Sequence, residues 1–424
     1  MRNLKSAVFE GTLDRVLARF YGTGHLESAR ERCCAVLDGF EAQFGVEAEA
    51  IFSAPGRSEL GGNHTDHQRG CVLAAAVDLD ILAAVSPNSS GVVRLQSEGY
   101  PLITVDLSQL TPREDEVNTS AALIRGVAAR MAALGCPLEG VGLDAYLISN
   151  VPGGSGLSSS AAFEVLVGTI LNELFWGGKC TAVEIAQIGQ YAENVFFGKP
   201  CGLMDQTASS VGGVVAIDFA DTDHPVVEQI GLDLTAEGYA LCILDSGADH
   251  ADLTAEYAAI TDELKTVCRH FGKEFLREIP EEDFLKGLPE VRKLAGDRAA
   301  LRAFHFYSEN HRAVEEAQAL RRGDFADFLA LVRKSGASSA MYLQNVVPTG
   351  QTTHQELMLT IALCERILGE KGAVRVHGGG FGGTAQAFVP LDMLDAFKSR
   401  TEAVLGAGSC HIVTVRPVGG AKLA

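Results

Sequence analysis

The stretch Val151-Pro152-Gly153-Gly154-Ser155-Gly156-Leu157-Ser158-Ser159-Ser160-Ala161-Ala162 governs how the rest of the chain is read. A phosphate chain needs several donors converging on a small volume. Glycines let the backbone come close and turn its N–H groups inward. A helix opening at such a loop adds unpaired N–H groups and the positive end of its dipole. This stretch offers both, and Ser158, Ser159 and Ser160 add hydroxyls for phosphate or a divalent cation. No Gly-Lys-Ser/Thr follows, so the spacing is not that of a Walker A loop. A single loop of this kind is also consistent with a glycine-rich turn and a serine helix cap.

Working outward, residues 141–149 alternate like a strand entering the loop, and residues 159–175 follow as a helix. Before them, 26–44 places apolar residues at helical spacing and stops at Gly45. Residues 50–53 read as a short strand running into a Pro55-Gly56 turn. Residues 72–77 and 81–85 read as two strands separated by Asp78 and Asp80, followed by strands at 92–96 and 103–107 and a helix over 118–134. After the loop come a helix over 182–197 and strands at 213–218 and 239–245. The polar segment 219–234 between those strands is the expected domain boundary. Residues 253–366 are mainly helical, and strands are expected at 373–376, 384–389 and 411–415. This mixture predicts an α+β fold in two lobes. The expected divisions are an N-terminal helical extension over 1–45, a first lobe over 46–225 and a second over 226–424, with the last strand returning to the first lobe.

The chain carries 54 acidic against 35 basic residues, a net charge of −19. No long Lys/Arg run offsets this, which argues against nucleic acid or an anionic membrane surface as partner. The 10 cysteines show no CxxC pair and read as buried reduced thiols, which fits a cytoplasmic location. No stretch is long and apolar enough for a spanning helix.

Three further segments narrow the reading. Ser53-Ala54-Pro55-Gly56-Arg57-Ser58-Glu59-Leu60-Gly61-Gly62-Asn63-His64-Thr65-Asp66 resembles the galactokinase signature. Ala192-Glu193 through Gly202-Leu203-Met204-Asp205-Gln206 is similar to the galactokinase stretch ending in Met-Asp-Gln. Arg375-Val376-His377-Gly378-Gly379-Gly380-Phe381-Gly382-Gly383-Thr384 resembles the third motif of the GHMP kinases, and the Gly/Ser loop their second. The resemblance implies the two-lobed GHMP kinase fold, with an active site in the cleft between the lobes. It also implies transfer of the ATP γ-phosphoryl to the anomeric hydroxyl of a sugar.

By that resemblance, Asp205 faces the hydroxyl to be phosphorylated and Arg57 steadies both the carboxylate and the transferring charge. Pro152, Gly153, Gly154, Ser155, Gly156, Leu157, Ser158, Ser159 and Ser160 hold ATP. Ser160 and Glu193 hold Mg²⁺, with Ser159 a close competitor for Ser160. Arg57, Asn63, His64, Asp66, Gly202, Asp205 and Tyr257 touch the sugar.

The signature departs from the family pattern at four positions. Glu59 stands where the family has Asn, Gly61 where it has Ile, Asn63 where it has Glu, and His67 where it has Tyr. The family Glu lies near the sugar's C6 hydroxyl, and an uncharged Asn there would also tolerate a C6 carboxylate. D-galactose is therefore the expected substrate, with galacturonate or N-acetylgalactosamine as alternatives. A non-catalytic galactose/ATP sensor is the alternative of a different class, and the intact Gly156–Ala161 string argues against it.

Overall fold

The computed structural model describes residues 4–153, 156–248, 253–381 and 383–424. Its strands are β1 (Ala50–Gly61), β2 (Cys71–Asn88), β3 (Val92–Ser97), β4 (Ile103–Asp106), β5 (Gly142–Ser149), β6 (Val214–Asp218), β7 (Val226–Ile230), β8 (Tyr239–Asp245), β9 (Ala373–His377), β10 (Thr384–Pro390), β11 (Cys410–Val413) and β12 (Ala421–Lys422). They form two sheets. The larger has the order β12-β1-β2-β5-β3-β4, with β6 also on β2 and β7 on β6; the smaller has the order β11-β8-β10-β9.

Two features differ from the sequence reading, and both shape the site. Pro55-Gly56 is not a turn: β1 continues to Gly61 through a register shift between Pro55 and Arg57. A Cβ at Gly56 would lie 2.8 Å from the Leu157 carbonyl oxygen, so glycine lets β1 press against the Gly/Ser loop. Likewise β2 is one long strand running past Asp78 and Asp80. Its start pairs with β6 and its end with β5. The acids do not break it because each has partners: Asp78 accepts from Thr414 N at 2.9 Å, and Asp80 is ion-paired to Arg32 and Arg416.

The chain reaches back and forth between the lobes more than expected. Val226–Ile230, assigned above to the second lobe, pairs antiparallel with β6 of the larger sheet. The strand near 411–415 is β11, which joins β8 in the smaller sheet; beyond it Val415 bridges to Val77, and Thr414 and Arg416 bond Asp78 and Ala76 of β2. β12, which the sequence did not signal, is the strand that pairs with β1.

Three helices open the chain: α1 (Leu4–Phe9), α2 (Asp14–Tyr21) and α3 (Leu26–Phe44). Their Val8, Leu17, Phe20, Val36 and Phe40 pack on Ile51, Leu82, Ala84 and Ile148 of the larger sheet. Alternate residues Phe52, Ala83, Val85 and Leu147 face the opposite side, as strand geometry requires. There they meet α4 (Ser120–Ala133), α5 (Ser159–Phe175) and α6 (Ala182–Ala192), while α7 (Met204–Val211) packs on β1 and β2. The second half carries α8 (Thr254–His270), α9 (Glu281–Arg321), α10 (Phe325–Ser338), α11 (Glu356–Leu368) and α12 (Leu394–Leu405). α9 kinks at Gly296, whose φ is 84°. Leu241, Ile243 and Phe388 of the smaller sheet share the central core with the larger one, so the two sheets are packed together. None of the cysteines is in a disulfide. Among the described residues, no helix is long and apolar enough to cross a membrane.

Candidate active site

β1 delivers Arg57 and the first turn of α7 delivers Asp205 to the mouth of the Gly/Ser loop. Arg57 grips Asp205 with both arms, Nε to Oδ1 at 2.7 Å and Nη2 to Oδ2 at 2.8 Å. Its third nitrogen, Nη1, donates to the Gly156 carbonyl. Ser158 caps α5 with φ 60° and donates its hydroxyl to Asp205 Oδ2. Burial alone would raise the Asp205 pKa, but the Arg57 charge and these hydrogen bonds outweigh it and hold the carboxyl below its usual range. The carboxylate is therefore ionised, pre-oriented and 29% exposed, so it can still meet a ligand.

At the second residue of α5, Ser160 Oγ donates to Glu193 Oε1 at 3.3 Å. Glu193 opens a π-helical turn, Glu193–Phe197, at the end of α6. Gln206 steadies it: Nε2 donates to Glu193 Oε2 and to Glu164 Oε2, each at 2.9 Å. Glu164 is fully buried, and burial together with the neighbouring Glu193 pushes its pKa well up. Neither Glu164 nor Gln206 was assigned a role from the sequence. The available signal was an acid four residues after Ser160, set within the mainly apolar run 161–171 of the helix.

The third glycine-rich segment closes over the second. A Cβ at Gly156 would sit 2.8 Å from Thr384 Oγ1 and 3.0 Å from His377 Nδ1. His377 bridges Ser58 at 3.2 Å and Thr384 at 2.9 Å, and burial with Arg57 and Arg375 nearby keeps it neutral. Glu59 pairs with Arg375 in a fully buried contact. Burial raises the Glu59 pKa to about 7, against the opposing pull of Arg375 and Arg57.

The loop after β1 places the remaining expected residues. Asp66 presses on Gly202, where a Cβ would fall 1.8 Å from Asp66 Oδ2, so this approach requires glycine. Asp66 also acts electrostatically on Arg57. His64 holds φ 60° and sits 3.1 Å from the Gly379 carbonyl; desolvation and His67 bring its pKa to about 3, so the ring is neutral. Tyr257 donates to Gly380 O at 3.2 Å, with its ring edge-on to Phe381. Asn63 departs from expectation. It has no exposed surface, and protein groups fill its side-chain amide: Nδ2 donates to Glu59 Oε1 (3.0 Å) and Gly378 O (2.8 Å), while Oδ1 accepts from Ser339 (3.1 Å) and Asn345 (2.9 Å). No side-chain polar atom is left for a sugar hydroxyl. Gly154, Ser155 and Gly382 lie outside the described residues.

Residues 38–87 match the galactokinase galactose-binding signature, and residues 122–213 match the GHMP kinases N-terminal domain. Both matches fall between residues 38 and 213, and over those residues the chain is similar to galactokinases and GHMP kinases. Its fold is shared with Lactococcus lactis galactokinase complexed with galactose: 24% identity, 92% of this chain and 99% of that one, TM-score 0.79. It is also shared with L. major mevalonate kinase in complex with R-mevalonate, at 18% identity, 87% and 96% coverage and a TM-score of 0.59. A D-glycero-D-manno-heptose 1-phosphate kinase from Bacteriodes thetaiotaomicron matches at 15% identity, 88% and 98% coverage and a TM-score of 0.58. ATP is the phosphoryl donor of GHMP kinases.

Within this kinase, three departures from the signature become one local rearrangement. Glu59 and Asn63 are the family's Asn and Glu with positions exchanged, and they hydrogen-bond to each other. Gly61 makes room for Glu316, whose Oε2 would lie 1.6 Å from a Cβ there. Burial and the nearby Glu309 hold the Glu316 pKa well up.

Proposed function

We propose that this kinase transfers the γ-phosphoryl of ATP to the anomeric hydroxyl of D-galactose. The observation that carries this reading is the ionised Asp205, clamped by Arg57 and Ser158 at the foot of the Gly/Ser loop. Its lowered pKa makes it a weak base for a free hydroxyl. Its first task is to hold that hydroxyl in line with the phosphorus, and it takes the proton as the hydroxyl acidifies on bonding to phosphorus. Arg57 then faces the charge that develops on the transferring group. Asp66, beside Gly202, accepts from sugar hydroxyls and sets configuration. His64 and Tyr257, both held on the Gly379–Gly380 backbone, are assigned to the sugar as well.

The loop from Pro152 to Ser160 holds the triphosphate with backbone N–H groups and serine hydroxyls. Ser160 and one oxygen of Glu193 lie side by side, which fits Mg²⁺, an ion that takes few protein ligands and completes its shell with phosphate and water. Among the described residues, no group of three acidic, His or Cys side chains is placed to hold a metal unaided, so the nucleotide supplies part of the shell. When bound, Mg²⁺ would neutralise phosphate charge. The expected division into 1–45, 46–225 and 226–424 is drawn here with the first lobe extended to 230 and joined by β12, a reading supported by the pairing of Val226–Ile230 with β6 and of β12 with β1.

With Asn63 withdrawn into the protein, no uncharged amide is left to accommodate a C6 carboxylate, and the partly buried Asp66 and Asp205 make the pocket acidic, which favours galactose over galacturonate. ATP consumption over galactose, N-acetylgalactosamine, galacturonate, arabinose and glucose tests the reading. Turnover is expected with galactose above the others. ATP and sugar binding without turnover would replace the kinase reading with a sensor, and preference for galacturonate would overturn the substrate.

A further inference from the structure

Asp80 has no exposed surface and stands in the middle of β2. The N-terminal layer reaches it twice, through the Tyr21 hydroxyl to Oδ2 at 2.6 Å and Arg32 Nη2 to Oδ1 at 2.7 Å. The C-terminal segment reaches it through Arg416 Nη1 at 2.8 Å, and the Arg416 guanidinium lies 4.6 Å from the Phe20 ring centre. Ser53 of β1, four residues before Arg57, donates to the same carboxylate. The backbone of Asp80 pairs with Asn150. Its N–H donates to Asn150 Oδ1 at 2.7 Å, and Asn150 N–H donates back to its carbonyl at 3.1 Å, a carbonyl that Arg32 Nη2 also reaches at 3.4 Å. Asn150 is the residue on which the Gly/Ser loop begins.

We propose that Asp80 is a positioning residue for the nucleotide: through the chain Tyr21–Asp80–Asn150, the N-terminal layer sets where the base of the Gly/Ser loop sits. This rests on the reading of that loop as the ATP cradle. The carboxylate fixes β2 at Asp80, and the paired backbone bonds pass that placement to Asn150. A loop that must present several N–H groups to phosphate loses affinity when its base shifts by a fraction of an ångström. The layer over residues 1–45 therefore contributes to ATP binding without touching ATP.

The test is a double-mutant cycle in the full chain with Tyr21→Phe, Asn150→Ala and their combination. Tyr21→Phe keeps the ring against Arg416 and removes only the hydroxyl. The Kd of a non-hydrolysable ATP analogue is measured by calorimetry, with galactose KM and Tm followed in parallel. Each single variant is expected to weaken analogue binding about threefold or more, the effect of losing one buried hydrogen bond. The double variant is expected to lose less than the product of the two, because both act through Asp80. Galactose KM should change less than the analogue Kd, since the sugar meets this loop only indirectly, through the Ser158 and Gly156 bonds to Asp205 and Arg57. Unchanged analogue affinity in the single variants, multiplicative effects, or analogue and sugar constants moving together would each overturn the proposal. If Tyr21→Phe lowers Tm below the assay temperature, Arg32→Lys tests the same link from α3 and is read in the same way. A wild-type chain that binds no analogue would count against the ATP reading of the loop instead.

Discussion

Asp205 and Asp80 are both carboxylates gripped by arginine, and both have pKa values held below the usual range. Burial pushes each upward, and the neighbouring arginines outweigh it. They differ in what is left over. Asp80 is sealed, with Arg32, Arg416, Tyr21 and Ser53 crowding its two oxygens and no exposed surface. Asp205 has one arginine and one serine and keeps 29% of its side chain exposed. A charge that is fully enclosed by partners holds structure together. A charge gripped from one side and open on the other is oriented for a ligand. Burial and the number of partners, rather than residue type, separate the two roles.

The largest expected effect is at the open carboxylate. Asp205→Asn should lower the rate of sugar phosphorylation by about 10³-fold while ATP-analogue binding and Tm stay close to wild type. Near-normal turnover would remove Asp205 from the mechanism, and a collapse in Tm would make it resemble Asp80. At the sealed carboxylate the outcome should invert. Asp80→Asn leaves the buried Arg416 and the partly buried Arg32 short of a counter-charge and should cost about 3–5 kcal/mol of stability by urea unfolding. Next comes the exchanged pair. Glu59→Asn and Asn63→Glu alone should each destabilise by about 2 kcal/mol, through a bare Arg375 in one case and adjacent acids in the other. The double exchange should recover most of that loss; additive losses would show that the two positions are independent.

The smallest effect is a pH dependence. A carboxylate whose folded pKa is lowered contributes stability above its unfolded pKa and loses it as pH falls through the folded value. The acid limb of stability below about pH 4 should therefore flatten in Asp80→Asn. Glu59 has the opposite sign. Its folded pKa is raised to about 7, so its contribution is present in acid and lost as pH rises through about 7. Glu59→Gln should flatten stability over that upper window, and an unchanged slope would assign it to other groups.

Much of the site was legible because its motifs are contiguous strings. The structure brings Arg57, Asp205, the Gly/Ser loop and the Ser160–Glu193 pair together. What sequence did not give was long-range pairing. Asp78 and Asp80 look like strand breakers until Thr414 and Arg416 are brought beside them from the far end of the chain. Asn63 looks like a ligand contact until Ser339 and Asn345 fill its side chain. Pro55-Gly56 has the composition of a turn, yet Ser209 holds the Pro55 carbonyl at 2.6 Å and β1 continues as a bulged strand. In each case a local propensity is overruled by a partner more than a hundred residues away, which periodicity cannot report.

The pairing of Asp80 with Arg416 also bears on how the protein is made. The two residues are 336 positions apart. At about 5–20 residues per second, translation leaves Asp80 without Arg416 for on the order of tens of seconds. Throughout that interval β1 also lacks β12, so one edge of the larger sheet stays open. Strand edges and half-paired buried charges are what chaperones shield and what drives premature association. The first lobe therefore emerges early but is completed last. A chain cut short before Arg416 would have its catalytic strings but not the closure of its sheet.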